Sequence, residues 1–111
     1  MASFREILSQ VKRSIREVSV DETKALMQSP RPSGPEGGDR RPVLIDVRER
    51  DEYEQGFVPR AEWVPRGFLE MKIEDIVPDR GQEVILYCAG GNRSALAARS
   101  LGELGYTNVS S

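Results

Sequence analysis

One short stretch of the chain has the residue types and spacing for covalent chemistry. Cys88-Ala89-Gly90-Gly91-Asn92-Arg93-Ser94 follows directly on the apolar run Glu83-Val84-Ile85-Leu86-Tyr87 and leads into a helical pattern. In open α/β sheets, ligands bind beyond the carboxyl ends of the strands, and this order of elements puts Cys88 at that edge. Gly90 and Gly91 let the backbone turn tightly, with N–H groups converging on one point. The helix that follows brings its positive end to the same place. A thiolate is stabilised there, so the Cys88 pKa is expected below the free-thiol value of about 8.5. The plainer reading is a cysteine acting as a small buried hydrophobe. The Gly-Gly turn, Arg93 and the start of a helix, all close behind it, favour the reactive one.

Composition removes most other chemistries. The 111 residues contain no histidine, which excludes Ser-His-Asp triads, Cys-His dyads and imidazole-ligated zinc. Cys88 is the only cysteine, so an internal disulfide, a dithiol pair and an all-cysteine metal site within one chain are excluded too. No metal and no cofactor are expected. A lone cysteine also suits a reducing, cytoplasmic setting. The net charge of −2 speaks against a nucleic-acid partner. No apolar run approaches the ~18–20 residues of a membrane span, so no membrane partner is expected. The length suits one domain.

The elements that must position Cys88 follow from periodicity. Residues 1–18 read as an amphipathic helical arm, with Phe4, Ile7, Leu8, Val11, Ile15 and Val18 at helical spacing. Ser19 and Glu22 have capping-box spacing and open a short helix to about Met27. Residues 30–42, rich in Pro and Gly, read as a flexible loop. Val43-Leu44-Ile45-Asp46-Val47 and residues 83–87 read as strands covered on both faces. Short helices are expected over 49–55, 67–77 and 93–104, and short strands over 61–64 and from Thr107. Alternating strands and helices give an α/β class with an open, mostly parallel sheet and helices on both faces. Strands 43–47 and 83–87 are expected to lie side by side and parallel. Asp46, at the end of its strand, is expected to accept hydrogen bonds from nearby loop N–H groups, as structural support.

Cys88, Gly91 and Arg93 fit a Cys-x-x-Gly-x-Arg pattern, which resembles the active-site loop of the rhodanese family. Leu44-Ile45-Asp46-Val47-Arg48-Glu49, Glu52-Tyr53 and Gly56 resemble the family's first signature. Ala61 and Val64-Pro65-Arg66-Gly67-Phe68-Leu69-Glu70 resemble its middle segment, and Gly105-Tyr106-Thr107-Asn108-Val109 the start of its last strand. The likeness covers about residues 17–111. The chain departs from the pattern at Phe57, where His is common, and at Arg60, where Gly is common. The family continues with a further helix. A domain over 19–111 lacking that helix, with part of its sheet uncovered, is therefore the expectation. The arm and Pro65-Arg66-Gly67 are also similar to rhodanese domains fused to adenylating enzymes of molybdopterin and thiamine biosynthesis.

The resemblance implies sulfurtransfer. Cys88 thiolate attacks the outer sulfur of a small donor such as thiosulfate, sulfite leaves, and a Cys88 persulfide passes sulfur to cyanide or a thiol. A sulfur-carrier or adenylating protein is a further candidate partner. Sulfite leaves as a stable anion, so the missing histidine is no obstacle. The amides of Ala89 to Ser94 stabilise the persulfide. Arg93 either orients the loop or meets the anion, and Arg66 is a candidate for the donor's charged end. Three other readings compete, one of them a module of a larger protein that delivers sulfur to an attached or separate partner. Cysteine phosphatases place five residues between Cys and Arg to cradle phosphate, against four here. A non-catalytic docking or regulatory domain would have no need of the cysteine.

Overall fold

The computed structural model describes residues 3–28 and 41–111, so most of the loop expected over 30–42 lies outside the described residues. The elements run α1 (Phe4–Ser14), α2 (Val20–Gln28), β1 (Val43–Asp46), α3 (Arg50–Glu54), β2 (Glu62–Trp63), a 3-10 turn (Arg66–Phe68), α4 (Leu69–Ile76), β3 (Val84–Tyr87), α5 (Asn92–Glu103) and β4 (Val109–Ser110). The sheet has the order β2-β1-β3-β4, and all its pairings are parallel. Leu44 lies opposite Ile85 and Asp46 opposite Tyr87, so β1 and β3 are adjacent, as their apolar runs imply.

Alternation along these two strands divides the sheet. One face presents Ile45, Val47, Val84 and Leu86 to Leu69 and Ile73 of α4 and to Ala97, Ala98 and Leu101 of α5, and this is the core. The other face carries Leu44 and Ile85, then Asp46 and Tyr87 at the carboxyl end. A cavity separates it from α2. Helix α1 lies outside α5 and buries Val11 there.

Local chemistry sets the helix starts. Ser3 accepts from the Glu6 N–H at 3.2 Å to cap α1. At α2 the Glu22 N–H donates to Ser19 Oγ at 3.0 Å, and the Ser19 N–H donates to Glu22 Oε1 at 3.1 Å, which is the expected capping box. The arm differs from its periodicity in one respect. Helix α1 stops at Ser14, and Arg16 pairs in parallel with Ser110. The Ser111 N–H donates to the Arg16 carbonyl at 3.0 Å, and the Val18 N–H to the Ser111 carbonyl at 2.9 Å. Residues 16–18 thus extend the sheet edge beside β4, a tertiary pairing that outweighs local helical spacing.

Leu101 is fully buried where α5 meets the sheet. Leu101→Ala should lower unfolding stability by about 3 kcal/mol, as a large-to-small change in a close-packed core does. Denaturant unfolding followed by circular dichroism measures it.

Candidate functional site

The site is built where β3 runs out. The Val47 N–H donates to the Tyr87 carbonyl at 3.0 Å, the last rung between the two central strands, and the chain then turns through Cys88 to Ser94 into α5. Gly91 caps α5 at φ +85°, in the left-handed region. A Cβ there would meet nothing within 4 Å, so backbone conformation and not space calls for glycine. The turn wraps N–H groups around the sulfur. Gly91 N–H donates to Cys88 Sγ at 3.1 Å and Ser94 N–H at 3.4 Å. Ser94 Oγ lies 3.5 Å from the same sulfur and 2.7 Å from Ser111 Oγ.

These donors decide the charge of the sulfur. Burial pushes the half-buried Cys88 thiol up. Hydrogen bonds from the Ser94 hydroxyl and from the N–H groups of Ser94, Gly91 and Gly90 pull it down, and the balance lies below the ordinary thiol value. The lowered pKa expected from the turn and the helix start is present, with side-chain and backbone donors as its cause.

Two charged groups hold the loop and its surroundings. Arg93 makes a two-pronged pair with Glu52 of α3, at 2.6 and 2.9 Å. The Arg93 bond, followed by one from the Glu49 N–H, holds the Glu52 carboxyl down to about 2. Arg93 therefore ties the start of α5 to α3. Asp46, fully buried, accepts from the Arg48 N–H at 2.9 Å, from the Arg48 guanidinium at 2.9–3.1 Å and from the Tyr87 hydroxyl at 2.9 Å. The Val58 N–H donates to Tyr87 Oη at 3.2 Å, and Arg48 Nη2 to the Gly56 carbonyl at 2.7 Å. Burial raises the Tyr87 pKa, keeping the hydroxyl a neutral donor. Phe57 stacks on Tyr53 at 4.4 Å between ring centroids, and Tyr53 stacks on Trp63 at 4.8 Å. Residues 56–58 are thereby fixed to Arg48, Tyr53 and Tyr87.

The residues singled out by sequence fall into separate places. Cys88, Gly91 and Ser94 come together around one sulfur. Asp46 lies behind them and accepts from a loop N–H, with two side chains added. Arg66 is elsewhere: its guanidinium lies 2.9 Å from Glu70 and 3.1 Å from Ser100 Oγ. It does not line the cavity between the sheet and α2, whose lining includes Cys88. Sequence reasoning gave Glu52 and Tyr87 no role. Glu52 stood in the quoted signature, but its partner is distant in the chain. Tyr87 stood at the end of a strand with no signal that its hydroxyl turns back to Asp46.

A parallel α/β sheet whose central strand ends in a lone cysteine ringed by N–H donors defines a class of cysteine-loop domain. Residues 19–111 match the model of the rhodanese-like domain, and the chain belongs to that family. It is 36% identical over 107 residues to a Schizosaccharomyces pombe protein provisionally named as a mitochondrial thiosulfate sulfurtransferase, covering 86% of this chain and 72% of that one. It is 38% identical over 65 residues to a thiosulfate sulfurtransferase of Escherichia coli, covering 59% of this chain and 62% of that one. A solved structure from Rhodopseudomonas palustris superposes with a TM-score of 0.81 at 27% identity, over 99% of this chain and 83% of that one. Its description gives its function as unknown and offers tyrosine phosphatase as one reading. No helix among the described residues is long and apolar enough to cross a membrane.

Two measurements test this geometry. The rate of Cys88 alkylation by iodoacetamide should rise with pH and level off below the ordinary thiol value of 9.0. In Ser94→Ala the plateau should move to higher pH, because a donor to the thiolate is lost. The Glu52 carboxyl is likewise held below its ordinary value, but far from the alkylation range. Its folded value, about 2, lies below the ordinary 4.5, so its contribution is complete above 4.5 and is lost as pH falls toward 2. The pair with Arg93 is therefore constant across the alkylation range, and Glu52→Gln should lower the plateau rate without adding a titration step near neutral pH. Arg93→Ala should do the same, and the double variant should be no worse than either single one.

Proposed function

We propose that this chain is a sulfurtransferase that carries sulfane sulfur as a persulfide on Cys88. The observation that carries the reading is the ring of donors from Gly91 and Ser94 on a sulfur whose pKa is lowered. The family and the names of its relatives support the reaction class. The donor proposed is thiosulfate, as the names of the Schizosaccharomyces pombe and Escherichia coli relatives suggest.

The chemistry follows from the charge on the sulfur. The Cys88 thiolate attacks the outer sulfur of the donor, the bond to the sulfonate sulfur breaks, and sulfite leaves with the electron pair. No proton moves, which suits a chain without histidine. The outer sulfur stays on Cys88 as a persulfide anion. The N–H groups that favoured the thiolate face this anion and stabilise it in turn. A nucleophilic acceptor, cyanide or a thiol, then attacks the outer sulfur and restores the thiolate. Arg93 acts as a positioning residue through Glu52. The acceptor in the cell is a thiol on a small molecule or on a sulfur-carrier or adenylating protein, and a reducing compartment such as the cytoplasm suits the exchange. The phosphatase reading is disfavoured because four residues, not five, separate Cys88 from Arg93.

Incubation with thiosulfate should add one sulfur atom to the protein, removable by cyanide. Cys88→Ser should abolish the addition and still fold, because an alcohol is neither ionised at neutral pH nor able to carry a persulfide. Arg93→Ala should slow the addition without abolishing it. Intact-protein mass spectrometry reads all three. A folded, reduced wild-type chain that never gains sulfur at saturating donor overturns the reading.

A further inference from the structure

The Ser94 hydroxyl has one proton and two neighbours that can take it. Cys88 Sγ lies 3.5 Å away and Ser111 Oγ 2.7 Å away. Ser94 is only 1% exposed, so its hydroxyl is served by these groups rather than by bulk water. A hydroxyl donates one hydrogen bond and can accept two. Ser94 therefore serves the sulfur only when Ser111 donates to it. When Ser111 accepts instead, the sulfur loses that donor. Burial pushes the Cys88 thiol up, and the Ser94 hydroxyl is first among the groups that pull it down. The shorter of the two contacts thus governs the use of the longer one.

Ser111 is held from the other end of the chain. Its N–H donates to the Arg16 carbonyl at 3.0 Å, and its carbonyl accepts from the Val18 N–H at 2.9 Å. Ser110, just before it, pairs with Ile85 on one side and Arg16 on the other. The backbone of Ser111 is thereby fixed between the sheet and the arm, with its hydroxyl on Ser94. The arm is anchored in turn by Val11, buried against α5, the helix that carries Ser94. Neither Ser111 nor residues 16–18 belong to the cysteine loop.

We infer that Ser111 is a positioning residue for the nucleophile, acting through Ser94, and that residues 16–18 of the N-terminal arm hold it in place. Its consequence for sulfur transfer rests on the sulfurtransferase reading, while its consequence for the thiolate does not. Other charged and titratable groups face the sulfur. Arg93 is paired with Glu52, whose carboxyl is held down to about 2. Lys24 of α2, Arg41, and Arg60 at φ +71° line the same cavity as Cys88. Tyr87, raised by burial, donates to Asp46, which Arg48 also meets. The substitutions below leave all of these in place, so a shift reports the hydroxyls.

The test is the pH profile of Cys88 alkylation by iodoacetamide, with folding followed by circular dichroism. Ser111→Ala should move the profile to higher pH. Alkylation on its rising limb should slow about threefold while the plateau does not fall, as suits one neutral hydrogen bond acting through another. In the Ser94→Ala background the same substitution should change nothing, because the path runs through Ser94. Ser111→Thr keeps the hydroxyl and should keep the wild-type profile; Ser111 lines the cavity, which leaves room for the added methyl. Val18→Pro removes the N–H that holds the Ser111 carbonyl, and should slow alkylation about twofold in wild type but not in Ser111→Ala. Persulfide formation from thiosulfate, read by mass spectrometry at the same pH, should slow in Ser111→Ala in step with alkylation. A folded Ser111→Ala with the wild-type profile overturns the inference. So does an equal shift in the Ser94→Ala background, or a Ser111→Thr that behaves as Ser111→Ala. A Val18→Pro effect that persists in Ser111→Ala overturns the part given to the arm. If the wild type takes no sulfur from thiosulfate, the sulfurtransferase reading fails, and the alkylation profiles still decide the role of Ser111.

Discussion

A carboxylate sealed beneath the carboxyl end of the sheet constrains everything around it. Asp46 is inaccessible to water, and a buried carboxylate is tolerated only when its lone pairs are met by well-placed donors. Meeting them recruits the backbone and guanidinium of Arg48 and the hydroxyl of Tyr87. Each recruited group then holds something else. Arg48 reaches the Gly56 carbonyl, and Tyr87 receives the Val58 N–H. Residues 56–58 are thus anchored to the sheet through polar bonds that converge on one side chain. Apolar packing on the opposite face keeps β1 and β3 in register, so the donors arrive in place without being held by the loop itself.

Much of this was legible in the sequence because it is local or repetitive. The central strands are continuous apolar runs, which only a sheet covered on both faces accommodates, and their adjacency follows. The capping box of α2 is written in the spacing of Ser19 and Glu22. The cysteine loop is legible for the same reason: its sulfur, its turn glycine and its serine donor lie within one short stretch, so geometry follows from order.

What was not legible is set by partners far apart in the chain. Glu52 and Arg93 are 41 residues apart, and no periodicity links them. Arg66 looked available because its i+4 partner, Glu70, does not by itself say where the guanidinium points, and Ser100 completes the site from another helix. The end of α1 at Ser14 depends on Ser110 and Ser111, which draw Arg16 into an extended pairing. The left-handed backbone of Arg60 had one sign, the glycine common at that position in the family, but the arginine itself hides it.

The hydroxyls of Ser94 and Ser111 form a row that starts at the sulfur. When Cys88 is a thiol, its S–H donates to Ser94 Oγ, and the Ser94 hydroxyl donates to Ser111 Oγ. When Cys88 is ionised, Ser94 turns its proton to the sulfur and accepts from Ser111. The row has two orientations, and the protonation of the nucleophile selects between them. The state of the sulfur is therefore written as a direction of polarity at Ser111, beside the backbone bonds that join the sheet edge to the N-terminal arm.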